Sequence, residues 1–488
     1  MEKTEEKKKT SLVQSAFWFL INNVLNIAFP FATGIYVARV LLPETIGLVT
    51  SAQNIVQYFV ILAFLGIPTY GLREISKARN DRNELNKVYS ELFVINLIST
   101  IAFSAVYLLL IFIVPSYREN IFLYLICGGL IALNALNNTW LFEGLEKFKF
   151  ISIRNLLFKV LMFVILIFLV RSDSDFLWYS AITVIGTAGN YIINFVFSQK
   201  YVSLEFKELN LKRHMKSIMF LVVVNLAIEI YSLVDITMLD IFSEKDNIAF
   251  YKYGSSIARI LLQVVNTFTM VLIPRISLLY KEGKMDEFNR LLSKVFTLIF
   301  LIAIPMIIGI QFTSSFLLCK IYGDAYISSS YVLDILSGIL LISPIGYLLG
   351  SRTLLVTGNE RKMVIPVGIG AIVNVIGNLI LIPFSSEIGA AVASLIGEIV
   401  VMIIYVLLGS KFFKLSNVFI DILKIFISSI AMTLLLIFIY FLIKNELWRC
   451  ILSVSVTPIF YFSLLWVIKE SNVRDFFLRI KNKIRVKK

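Results

Sequence analysis

Apolar residues in this chain run in blocks of about twenty, separated by short polar connections, rather than recurring singly at a helix or strand period. The blocks are Leu12 to Val37, Thr45 to Leu72, Tyr89 to Val114, Ile121 to Phe142, Ile151 to Val170, Phe176 to Phe197 and Ile218 to Phe242. They continue as Ile248 to Ile273, Leu292 to Phe312, Tyr326 to Leu349, Met363 to Ile382, Ile388 to Leu408, Ile420 to Ile443 and Leu447 to Ile468. A weakly charged run of that length matches the hydrocarbon thickness of a bilayer, so each block predicts a transmembrane helix. The expected fold class is therefore all-α: a polytopic membrane protein of about fourteen helices. A water-soluble enzyme, a single-anchor receptor and a large extramembrane domain are all excluded.

Composition agrees, since 58% of the 488 residues are hydrophobic and 16% charged. The formal charge of +14 would suggest nucleic acid in a soluble protein. Here Lys and Arg gather in alternate connections, such as Arg73 to Lys87, Lys200 to Lys216 and the tail from Lys469, while the intervening connections are poor in them. The positive-inside rule then places both termini in the cytoplasm, with no nucleic-acid partner. The first block is long and lacks a small-residue cleavage site, so it reads as a retained helix. Cys127, Cys319 and Cys450 each stand alone in apolar sequence, so no metal site or cofactor is expected. The outer connections are too short to carry a catalytic loop. The one histidine, His214, lies beside Lys212 and Arg213 and reads as a solvated loop residue, so the chain is not expected to be an enzyme.

Polar residues inside an apolar span are costly against lipid and normally face a bundle interior or a wet cavity. In the eighth block Lys252, Ser255, Ser256, Arg259, Gln263, Asn266 and Thr267 share roughly 120° of a helical wheel. Arg259, about eleven residues from the outer end, lies near the membrane midplane at 1.5 Å per residue. The seventh block carries Asn225, Glu229, Ser232 and Asp235 on one face, with Asp240 at its outer end. Two readings stand: Arg259 and Glu229 form a structural pair, or Arg259 binds an anionic substrate while Glu229 or Asp235 couples transport to protons or sodium. Asn22, Asn26 and Thr33, Ser51, Asn54 and Tyr58, Asn134, Asn137 and Asn138, and Asn190 with Asn194 line other spans. Asparagine suits sugar hydroxyls, and it equally bonds neighbouring helices. Gly389, Ala393 and Gly397 form a small-residue face for close packing. The candidate substrate-binding residues are Arg259, Lys252, Gln263, Asn266, Asn225, Asn26, Asn54 and Asn138.

Four segments resemble Wzx-type flippases, the polysaccharide transporter family of the multidrug/oligosaccharidyl-lipid/polysaccharide exporter superfamily. They are Tyr36 to Gly47 (YVARVLLPETIG), Leu65 to Lys77 (LGIPTYGLREISK), Asn137 to Phe148 (NNTWLFEGLEKF) and Ile273 to Ser277 (IPRIS). The resemblance spans essentially the whole chain. It implies two pseudo-symmetric six-helix lobes, residues 1–200 and 201–415, followed by two extra helices and a basic tail in 416–488. It also implies a substrate, an oligosaccharide repeat unit linked through diphosphate to undecaprenol, moved to the outer leaflet of the bacterial cytoplasmic membrane. Polysaccharide polymerase and chain-length proteins are the implied partners for building an O-antigen or capsule. The alternatives are a lipid II or multidrug exporter of the same superfamily, or a polymerase or glycosyltransferase acting on the same lipid. The cationic cluster of lipid II flippases is matched only by Arg259, and a central arginine would repel cationic drugs.

Overall fold

The computed structural model describes residues 2–270, 273–415, 418–475 and 478, and the chain divides into two compact units, Met1–Ala249 and Phe250–Lys488. The described elements are helices and their connections. The first unit holds α1 (Glu2–Val40), α2 (Pro43–Phe64), α3 (Ile67–Ala78), α4 (Arg82–Ile113), α5 (Pro115–Glu119) and α6 (Ile121–Leu133). It continues through α7 (Thr139–Gly144), α8 (Phe148–Leu169), α9 (Phe176–Ser198) and α10 (Lys212–Phe242). Among the described residues ten helical segments are long and apolar enough to cross a membrane, which makes the chain a multi-pass membrane protein. The more polar α11 (Lys245–Met270) falls outside those ten, the middle of α10 has side chains outside the described residues, and the described part of α1 supplies a further apolar stretch, Val24–Val40.

Lipid tails are as apolar as leucine, so burial of apolar surface does not by itself draw these helices together; small residues and interhelical hydrogen bonds do. The parallel pair α1 and α8 shows this. Ser152 Oγ donates to Trp18 O (2.7 Å), Asn155 Nδ2 to Asn22 Oδ1 (2.8 Å), and Lys159 Nζ to Asn26 Oδ1 (2.7 Å). At the far end Tyr36 OH donates to Val170 O (2.8 Å). Beyond it, Asp173 accepts from Leu42 N (2.7 Å) and Thr45 Oγ1 (2.9 Å), tying two connections together. The first unit extends one helix past residue 200 because α10 is joined to α2: Asn54 Nδ2 donates to Leu233 O (3.2 Å) and Thr237 Oγ1 (2.8 Å).

Two blocks of the first unit that read as single helices are broken. The second block turns at Leu65 and Gly66, both left-handed (φ 49° and 72°), and α3 leaves with Pro68 in its first turn. The fourth block ends α6 at Leu133, passes through a tight turn at Asn134–Leu136, and resumes as α7. The carbonyls freed at this break are satisfied by Asn96 Nδ2, which reaches Asn134 O (3.0 Å) and Ala135 O (3.3 Å).

The second unit contains most of α11, then α12 (Ile273–Lys281), α13 (Met285–Tyr322), α14 (Ser328–Leu336), α15 (Ile339–Gly346) and α16 (Thr353–Val356), with a π-helical stretch Tyr347–Arg352 before α16. Next comes α17 (Val364–Gly409), which is two helices across a kink: Ser385 and Ser386 have non-helical backbone, and Ser386 has φ 44°. Its arms fold back as an antiparallel hairpin on their small residues. A Cβ at Gly389 would lie 2.4 Å from Leu381 O, and one at Gly377 would lie 3.0 Å from Ala393 Cβ. The expected close-packing face at Gly389, Ala393 and Gly397 is thus an intrachain contact. Finally α18 (Val418–Leu442) and α19 (Glu446–Val467) pack on α13, where Tyr461 OH donates to Leu301 O (3.2 Å) within a cluster of Ile304, Ile425, Met432 and Leu436.

Candidate functional site

The polar stripe of α11 exists as a continuous helix face. Off that stripe Tyr251, Tyr253, Ala258 and Val265 are buried, and in the first turns of the helix Ile248, Ala249 and Ser255 are buried too. Tyr253 anchors that side between Tyr322 and Tyr326, with ring centroids at 4.3 and 5.0 Å. Gly254 lets the α11 backbone approach α14, since a Cβ there would lie 2.5 Å from Ser329 O. From Arg259 onward the polar side is accessible: Arg259, Gln263 and Thr267 are exposed and Asn266 is half-buried, with Lys252 half-buried before them. Lys252 Nζ lies 5.9 Å from the ring centroid of Tyr253. Among the described residues no ion pair involves Arg259. A guanidinium on an accessible polar face offers up to five N–H donors in a planar fork, the geometry that bidentate recognition of phosphate or carboxylate requires.

The acidic stripe of α10 is only partly described. The side chains of Asn225 and Glu229 lie outside the described residues, so the Glu229 to Arg259 pairing does too. Asp235 is buried, and Asp240 pairs with Lys245 near the end of α10. The remaining candidates are engaged by their neighbours. Asn26 accepts from Lys159, Asn54 bonds α10, and Asn138 Nδ2 donates to Tyr89 OH (3.0 Å) beside the broken fourth span. Each of the last two keeps a buried side-chain oxygen with no described hydrogen-bond partner.

Among the charged residues inside the spans that escaped the sequence reading, Lys159, Asp334 and Glu398 stand well away from the block ends. Lys159 sits midway along α8, bonded to Asn26, and gives the first unit its own mid-span cation. Asp334 in α14 and Glu398 in the second arm of α17 are intramembrane carboxylates; Ser343 Oγ donates to Glu398 Oε2 (2.5 Å), and Asp334 Oδ1 is buried with no described hydrogen-bond partner. The signal was present, since each is a lone charge in an apolar block.

His214 requires a correction. It is 2% exposed rather than solvated. Its Nδ1 lies 2.8 Å from Tyr70 OH and its Nε2 2.8 Å from Glu91 Oε2. The fully buried Glu91 also accepts from Asn210 N (2.8 Å) and from Arg213 Nε (2.7 Å) and Nη2 (2.6 Å). Burial disfavours the Arg213 guanidinium, but its bonds to Glu91 and Glu84 outweigh that and hold its pKa above the ordinary value. The cluster seats the start of α10 against α3 and α4, which is why the histidine is withdrawn from water.

Among the described residues the chain is helical and multi-pass, with Arg259 and Lys252 on one polar face of α11. The fold is shared with solved exporters. It resembles lipid II flippase MurJ in an inward closed conformation (TM-score 0.70, 17% identity, covering 95% of this chain and all of that one). It also resembles an inward-facing multidrug resistance MATE family transporter of the MOP superfamily (TM-score 0.61, 15% identity, 78% of this chain and 93% of that one). The chain belongs to the polysaccharide biosynthesis protein family, whose model matches residues 12–279. A relative from Escherichia coli (strain K12), provisionally named an O-antigen transporter, is 23% identical over 405 residues, 80% of this chain and 95% of its own length. The Wzx-type resemblance of the four sequence segments is thereby borne out.

Proposed function

We propose that the chain is a flippase, carrying an oligosaccharide linked through diphosphate to undecaprenol from the cytoplasmic to the outer leaflet of the bacterial cytoplasmic membrane. The observation that carries the reading is the accessible polar side of α11, with Arg259 and Gln263 exposed and Lys252 and Asn266 half-buried along the same side. A mid-depth guanidinium neutralises diphosphate where water is scarce, amides bond sugar hydroxyls, and the lipid tail stays in the bilayer. The family membership and the relative named as an O-antigen transporter support the same substrate class.

In this reading α1, α10, α11 and the two arms of α17 all cross the membrane, making fourteen spans. The lobes are 1–200 and 201–415, 416–488 supplies the two extra helices and basic tail, and both termini are cytoplasmic. Asn225, Asn26, Asn54 and Asn138 line the path, Glu229 or Asp235 couples movement to a proton or sodium ion, and a polymerase with its chain-length proteins takes the product. Arg259 variants test the core of the reading, with surface glycan measured in a strain lacking the native gene and normalised to protein in the membrane. Arg259→Ala abolishes glycan export and Arg259→Lys, which keeps charge but not the fork, retains part of it. Normal export in Arg259→Ala would sink the substrate-binding reading, and full rescue of its loss by adding Glu229→Gln would show a structural pair instead.

A further inference from the structure

A second cationic feature lies in the first unit, and no transport step proposed above uses it. A cavity of 710 Å³ opens beside the start of α8, walled by Trp18 of α1 and by Ile193 and Phe197 of α9. Arg154 lines it and is 9% exposed. Its Nη2 donates to Asn155 Oδ1 (2.9 Å), and its Nε and Nη1 are buried with no described hydrogen-bond partner. Leaving two donor nitrogens of a buried cation unsatisfied is costly, so such a group implies an acceptor that joins it.

The remaining lining separates into two chemistries. Lys147 and Lys149 add positive charge, and the one carboxylate present, Glu146, is already held by Arg79 Nη1 at 2.6 Å. Along α8 the cavity becomes apolar. Leu157 and Leu161 follow at one and two turns, 65% and 51% exposed, and Val164 and Phe168 continue that exposed face. Arg154 to Leu161 is about 10 Å along the axis at 1.5 Å per residue. A phosphate at Arg154 with hydrocarbon lying over Leu157 and Leu161 fits this gradient. We infer that the Arg154 cavity is a binding site for an anionic glycerophospholipid, seated from the leaflet on the Lys-rich side of the chain.

The polyprenyl diphosphate of the proposed substrate carries the same phosphate-and-tail chemistry. The cavity favours a resident phospholipid, because it opens on the exposed apolar face of α8, where a bulky glycan headgroup would gain no route across the bilayer. Native mass spectrometry of the delipidated full-length protein tests this with dioleoyl phosphatidylglycerol, dioleoyl phosphatidylcholine and undecaprenyl diphosphate at equal concentrations. The wild type retains phosphatidylglycerol about tenfold better than phosphatidylcholine, and Arg154→Gln loses about tenfold of that retention, as expected for a charge-assisted phosphate contact. Leu157→Trp, at an exposed position that leaves the helix intact, fills the apolar slot and lowers retention similarly. Equal retention of the two phospholipids would overturn the inference. So would unchanged phosphatidylglycerol retention in Leu157→Trp, whether or not Arg154→Gln folds. Preferential capture of undecaprenyl diphosphate by the wild type would assign the cavity to the substrate instead.

Discussion

Glu91 is the residue whose removal the structure makes most costly. Its carboxylate has no exposed surface and accepts from Asn210 N, from two nitrogens of Arg213 and from His214 Nε2, all within 2.8 Å. Replacing it with Gln keeps volume and one acceptor but presents an N–H₂ to a guanidinium. Breaking a buried ion pair from one side costs about 3–5 kcal/mol, because the partner is left charged and unpaired. The Arg213 side chain is 32% exposed and retains Glu84 at 3.0 Å, so it recovers some hydration and some charge compensation. The expected cost for Glu91→Gln is therefore below that range, about 2–3 kcal/mol. Unfolding of the purified protein in mixed detergent and dodecyl sulfate micelles measures it. The double variant Glu91→Gln with Arg213→Met is expected to be no less stable than Glu91→Gln alone, within about 0.5 kcal/mol, since the unpaired cation is gone. A loss under about 0.5 kcal/mol in Glu91→Gln, or strict additivity in the double variant, would refute the account of this cluster.

Gly389→Leu should leave little folded protein, because its Cβ would sit 2.4 Å from a backbone carbonyl of the facing arm; wild-type yield and elution profile would contradict the hairpin. Lys159→Met breaks the bond to Asn26 within the α1–α8 ladder and removes the mid-span cation, so a several-fold loss of glycan export at unchanged membrane abundance is expected, checked by surface glycan normalised to protein. Glu470, completely buried at the start of the helical turn 471–475, has a carboxyl pKa raised by burial, despite accepting from Val473 N (2.8 Å) and Asn472 Nδ2 (3.2 Å). A raised folded-state pKa gives stability that is present at acid pH and lost as pH climbs through that pKa. As pH rises above the ordinary glutamate range, unfolding temperature should thus fall less steeply in Glu470→Gln than in the wild type. Equal slopes would place the titration elsewhere.

What the sequence made legible follows the physics of lipid exposure. Long apolar runs announce their spans, and the gap between the eleventh and twelfth blocks falls on the Pro383–Glu387 turn where α17 folds back. Breaks inside a span were not legible in the same way. The turn at Leu65 and Gly66 interrupts a run whose hydropathy hardly changes, and the asparagines of 134–138 read equally as a polar stripe on an unbroken helix, the cost of that break being met by a distant partner, Asn96. The stripe of α11 was readable because one helix carries all of it. The asparagines were ambiguous for the opposite reason: whether Asn26 faces a path or a neighbour depends on Lys159, a partner 133 residues away. His214 was misread because its partners, Tyr70 and Glu91, arrive from α3 and α4 and are invisible in the local run of charges.

Reconstitution tests the central claim most directly. The purified chain is placed in liposomes carrying a fluorescent undecaprenyl-diphosphate oligosaccharide, and the fraction of lipid accessible to an impermeant quencher is followed alongside its mass. The account predicts movement between leaflets at unchanged mass, lost in Arg259→Ala. A changed glycan mass would make the protein an enzyme, and no movement above protein-free liposomes under an imposed proton or sodium gradient would contradict the assignment as a flippase of this lipid.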